Sequence, residues 1–155
     1  MPADYAGALE ATKDYFVAAW AARTAVAYVS GQDVEKHDGA GVPTEWGFYE
    51  IVHAPSWVAG RGVPGNNCIV YPFNIKVHIF GPILKPPGTA LQLALAAGEI
   101  FRNKLFYNTV TDGCYVRSGY ETMGQPRISE GDIAADNGNW LSTTCTIPAE
   151  YWHRG

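Results

Sequence analysis

The sequence predicts an α+β domain: a mostly antiparallel sheet with an N-terminal helix and a long central helix packed on one face. Three observations carry this. Asn74–Phe80 sets Ile75, Val77 and Ile79 against Asn74, Lys76 and His78, the period-two pattern of a strand with one buried face. Thr89–Tyr107 repeats apolar residues at spacings of three and four, as a helix does. Short alternating segments flank both, giving the order helix, three strands, helix, two or three strands. No linker or internal repeat interrupts the 155 residues, so the whole chain reads as one domain.

Residues 4 to 22 predict the first helix. Tyr5, Leu9, Phe16 and Trp20 fall on one stripe with Thr12 between them; Glu10, Lys13 and Asp14 lie opposite, and Asp4 stands as N-cap. Thr24–Val29 is β-branched and aromatic, hence the first strand, and Gly31–Pro43 is a polar, glycine-rich loop. Glu45–His53 is the second strand, with Trp46, Phe48, Glu50 and Val52 on one face and Gly47, Tyr49 and Ile51 on the other. Ala54–Asn67 is rich in Gly and Pro and places Trp57 and Arg61 on a surface loop, as candidate subunit-contact residues.

Cys68–Phe80 continues as strand, with Pro72 predicted to demote its first half to an edge or bulge. Phe80-Gly81-Pro82 ends it, and Lys85–Gly88 turns the chain toward Thr89, the expected N-cap of the central helix. That helix would run about 27 Å to Tyr107. Leu91, Leu95, Gly98, Phe101 and Leu105 form the stripe assigned to the sheet, and Leu93, Ala97, Ile100 and Lys104 a second one. So wide an apolar surface needs a second cover, from the first helix or a neighbouring subunit. Cys114–Ser118, Glu121–Ile128 and Trp140–Ile147 are the last strands, with an acidic loop, Ser129–Asn139, bearing Glu130, Asp132 and Asp136.

The charge balance narrows the function. A formal net charge of −4 offers no basic footprint for gripping nucleic-acid phosphates. Only 17 % of residues are charged while 13 % are aromatic, with five Trp and nine Tyr, a composition closer to protein interfaces than to the skin of a free monomer. Cys68, Cys114 and Cys145 form no CxxC pair, so reduced thiols and a cytosolic setting are expected, and the acidic start lacks the basic region of a signal peptide. No apolar run reaches the ~18 residues of a membrane span.

No nucleophile elbow, phosphate loop, HExxH pair or DxDxDG calcium loop occurs in the chain. His37, His53, His78 and His153 are too far apart in sequence to declare a metal site, and His78 reads as a satisfied or solvent-facing strand residue. The expectation is therefore no catalytic, metal or cofactor set.

The order of landmarks resembles the tail terminator proteins of long-tailed bacteriophages, particularly the terminator-like minor tail proteins. The matching pieces are Thr24–Tyr28, the Trp-centred turn Pro55–Val58, the strand Asn74–Phe80, the apolar stretch Leu91–Phe106, and Trp140–Pro148 with its closing Ile-Pro. Relatives often carry an arginine close after the turn tryptophan; here it is delayed to Arg61. The resemblance implies a structural virion protein, made in the host cytoplasm. It would form a ring, usually hexameric, that caps the tail tube, stops its polymerisation and meets the neck or connector protein. DNA would pass through without specific binding, and Glu130, Asp132 and Asp136 would face the lumen and repel it. Another neck or tube component, or a small α+β ligand-binding or hydrolytic domain, stands as the alternative.

Overall fold

The protein, seen in a computed structural model, is described over residues 3–23, 28–29, 44–63, 66–82, 88–109, 113–120, 124–135 and 140–155. The elements are α1 (Tyr5–Arg23), β1 (Tyr28–Val29), β2 (Trp46–His53), β3 (Trp57–Gly60), β4 (Cys68–Pro82), α2 (Gly88–Phe101), β5 (Lys104–Thr109), β6 (Cys114–Ser118), β7 (Arg127–Ala135) and β8 (Trp140–Arg154). They form one mostly antiparallel sheet with two helices on one face, the predicted class. Of the expected first strand only Tyr28–Val29 is described, and it runs parallel to β2. The Gly31–Pro43 loop and most of the Lys85–Gly88 turn lie outside the described residues.

Two 15-residue strands, β4 and β8, pair along their whole length from Cys68↔Arg154 to Pro82↔Trp140. Each has two shorter neighbours on its outer side. Along β4 the neighbour changes from β3 to β2; along β8 it changes from β7 to β6. This corrects the expectation for Pro72. It sits mid-strand in the centre of the sheet, at the place where β3 gives way to β2, and its carbonyl accepts from the Ala54 amide on that side. The missing N–H points into the changeover, where no partner strand needs it. Pro148 does the same in β8, accepting from the Gly119 amide, and lets the last strand run seven residues past Ile147.

Strand parity sorts the side chains. Phe73, Ile75, Val77 and Ile79 share one face with Tyr49, Cys145, Ile147, Ala149 and Tyr151, and both helices close over it to form the main core. α1 is capped by the Asp4 carboxylate, which accepts from the Gly7 amide at 2.6 Å; Thr12, Phe16 and Trp20 of the expected stripe are buried, Ala8 joins them, and Tyr5 and Leu9 are only partly covered.

The central helix is shorter than predicted, 14 residues, and it presents a different stripe. It buries Ala90, Ala94, Ala97 and Gly98 with Ile100 and Phe101, whereas Leu95 is 48 % exposed. The small stripe lets the helix axis approach: a Cβ on Gly98 would come within 3.1 Å of both Cys145 Sγ and Pro126. Thr89 lies inside the first turn, not at the cap. The helix stops at Phe101 because its last carbonyl accepts from Ser118 Oγ at 2.8 Å. Asn103 then turns left-handed (φ 53°) and gives its amide to the Gly119 carbonyl. Lys104–Tyr107, read as the end of the helix, begins β5 and pairs with β6.

The acidic segment also differs from the expected loop. Ser129–Ala135 belongs to β7, paired with β8 and irregular between Glu130 and Ala134, so pairing outweighs the polar composition there. Asp136 lies outside the described residues.

Candidate functional site

The other face of the sheet carries the even residues of β2, β4 and β8, and no described helix covers it. Three groups occupy it. At one end Trp46 stacks on Phe80 with centroids 4.2 Å apart, and Trp140 and Phe48 complete that cluster.

Beside it, β2 and β4 bring Glu50 within reach of His78, a cross-strand diagonal that the register creates and no motif announces. His78 Nε2 lies 2.8 Å from Glu50 Oε1, and Nδ1 lies 2.7 Å from Thr144 Oγ1. With the proton on Nε2 donated to the carboxylate, Nδ1 accepts from the threonine hydroxyl. The order acid–imidazole–hydroxyl is that of a nucleophilic triad, but Thr144 is 3 % exposed, so no electrophile reaches its oxygen in this arrangement. The trio satisfies a buried histidine. His78 is a satisfied residue, as read.

The opposite end is where the sequence-predicted contact residues lie. Register aligns Trp57, Val70, Trp152 and Tyr115 in one row across β3, β4, β8 and β6. Tyr115 stacks on Trp152 (5.9 Å, 10°), and Trp57 meets Trp152 edge-on at 6.3 Å. The next row holds Leu105, Arg117 and Glu150. Arg117 sits 5.1 Å over the Trp152 ring and bonds Glu150 Oε2 at 3.1 Å, and that same oxygen accepts from Trp152 Nε1 at 2.9 Å. The aromatic row is thus locked from below by a charged pair, while its outer members stay open: Trp57 is 47 % and Leu105 50 % exposed.

Next to this row a cleft of about 400 Å³ opens, walled by Tyr115, Trp152 and Cys68 and rimmed by Arg61, Asn66 and Arg154. Burial raises the Tyr115 phenol above its usual range, so it is neutral and a hydrogen-bond donor at physiological pH. Arg154 Nε donates to Asn66 Oδ1 at 2.7 Å, which holds that guanidinium across the cleft. Gly62 is needed for the loop to close, since a Cβ there would meet the Asn66 carbonyl oxygen at 2.6 Å.

The structure therefore brings Trp57 and Arg61 to one site. Glu130 lies elsewhere: it pairs with Thr143, nine residues along β8 from Trp152, or roughly 30 Å at ~3.3 Å per residue. Sequence reasoning missed Tyr115, Arg117, Trp152 and Arg154, whose only local signal is alternation in β6 and in the end of β8. Among the described residues no group of three His, Cys, Asp or Glu is placed to hold a metal ion, and no helix is long and apolar enough to cross a membrane.

Comparison with protein-family models and with curated proteins finds no match to this chain.

Proposed function

We propose that this protein is a ring-forming structural subunit of a long-tailed phage, the tail terminator that caps the tail tube and meets the neck or connector. The observation that carries the reading is the helix-free face, which displays Trp57, Val52 and Leu105 at 40–50 % exposure around a fixed aromatic–arginine row. A monomer gains nothing by leaving such side chains in water, whereas buried Trp, Tyr and Arg dominate contact energies between subunits. Leu95 on the outer side of α2 supplies a second apolar point on a different surface. Two unlike surfaces suit the head-to-tail contacts of a closed ring, six subunits being the number the family resemblance implies. The element order, from the capped first helix to the terminal strand with Ile147-Pro148, also agrees with that resemblance.

In such a ring Glu130, exposed on β7, would face the channel and repel passing DNA. Negative-stain imaging of the protein mixed with tube protein tests the assignment. Rings seated on tube ends, and tubes of limited length, are expected; free particles and unrestrained tubes would refute it. A second reading, a small-ligand-binding domain, draws on the cleft beside Trp152, and a compact monomer in both mixtures would favour it.

A further inference from the structure

We infer that the cleft beside Trp152 is a receptor for an acidic peptide segment, with a carboxylate held between Arg61 and Arg154 and an apolar residue on the same face of the segment laid on Trp57. The inference deepens the assembly reading and rests on it only in taking the partner of this surface to be a protein.

Charge gives the first argument. The chain as a whole carries −4, yet the cleft is rimmed by two guanidiniums and, among the described residues, no carboxylate lines it. The nearby Glu150 is already engaged by Arg117 and by the Trp152 indole. Arg61 forms no ion pair or hydrogen bond among the described residues, and Arg154 spends only its Nε on Asn66, leaving its terminal nitrogens to a ligand. Two guanidiniums lining one space are the donor type that holds a carboxylate bidentately.

The surroundings argue for a peptide over a free ion. A small oxyanion would need only the arginines, but the same face continues onto β3, where Trp57 is 47 % exposed. β3 pairs with β4 on one side, and among the described residues no strand pairs with its outer edge. An extended segment can therefore hydrogen-bond along Trp57–Gly60, with one side chain in the cleft and the residue two along, which shares its face, against the indole.

The test uses the full chain and a fluorescent heptapeptide with one central Glu, Val two residues to either side of it and Thr elsewhere, followed by anisotropy at low ionic strength. A peptide with Gln for Glu and inorganic phosphate serve as the comparison probes. We expect the Glu peptide to bind, the Gln peptide to bind about tenfold more weakly, and phosphate to compete poorly. Arg61→Glu should abolish the preference for Glu; because this side chain is exposed, the variant should melt like the parent. Arg154→Gln should weaken it in part, and Trp57→Ala should weaken both peptides alike. Equal binding of the two peptides, no binding of either, or an unchanged Arg61→Glu variant would overturn the inference. Tight saturable binding of phosphate that displaces the peptide would also overturn it, in favour of a small-oxyanion site. A parent protein that forms rings while binding neither peptide would sink this inference alone; peptide binding by a protein that never assembles would sink the ring alone.

Discussion

The two faces of the sheet are made by the same strands and solve opposite problems. On the helix-bearing face Ile75, Val77, Ile79, Ile147 and Tyr151 are fully buried, and the helix over them offers alanines and a glycine so that backbone approaches backbone. On the other face, one residue along each strand, aromatic, charged and hydroxylic side chains stand among a few aliphatic ones. Their contacts are ring stacks, one Arg–Glu pair and one acid–imidazole–hydroxyl chain. The first face stabilises by removing apolar area from water. The second fixes directions, and keeps Trp57 and Leu105 available.

Truncation should separate the faces most clearly. Phe101→Ala, which empties a fully buried site under α2, should cost ~3–5 kcal/mol in chemical denaturation. Gly119→Ala should follow at about 1–3 kcal/mol: Gly119 is left-handed at φ +60°, and a Cβ there would meet the Phe101 carbonyl oxygen at 2.7 Å. An unchanged melt for Gly119→Ala would show that the helix end is not held by that contact.

On the second face His78→Ala should cost about 1–3 kcal/mol, because it strands the buried Thr144 hydroxyl. Leu95→Ala should cost less than about 1 kcal/mol, the side chain being half in solvent. If Leu95→Ala matched Phe101→Ala, the assignment of the α2 faces would be wrong.

That last pair marks what was legible in the sequence. Phe16 and Trp20 announce α1 because bulky side chains and burial coincide there, with Tyr5 and Leu9 packed at the margin, and Asp4 caps it as its chemistry requires. In α2 the two part company. The leucines look like the core stripe, but the packed stripe is Ala90–Ala94–Ala97–Gly98, chosen for close approach. The end of α2 was hidden for another reason: Leu105 and Phe106 continue the apolar spacing, and the stop comes from Ser118 and Gly119, distant in sequence. Acidity likewise made Ser129–Ala135 read as a loop, while pairing with β8 makes it a strand. Of the candidate site, Trp57 and Arg61 could be picked from one unusual stretch. Arg117, Trp152 and Arg154 could not, because only the register of β6 and β8 brings them there.

Titration should discriminate weakly, and in one direction. Burial pushes the Cys145 thiol up to about 12 from 9.0 and raises the phenols of Tyr151, Tyr5 and Tyr115 above 10.0. Each group binds its proton more tightly when folded. Its contribution is complete below the unfolded value and is lost as pH rises through the folded one. Urea midpoints should therefore fall steadily from about pH 9 upward. A flat midpoint through about pH 10.5 would show that these groups ionise as easily folded as unfolded.

The central claim is that the helix-free face is a subunit contact, and sedimentation velocity of the parent and of Trp57→Ala, each with and without tube protein, tests it most directly. The account predicts a ring-sized species for the parent, at least with tube protein, and a monomer with an unchanged melting curve for Trp57→Ala. A parent that stays monomeric in both mixtures, or a Trp57→Ala variant that assembles like the parent, would contradict it.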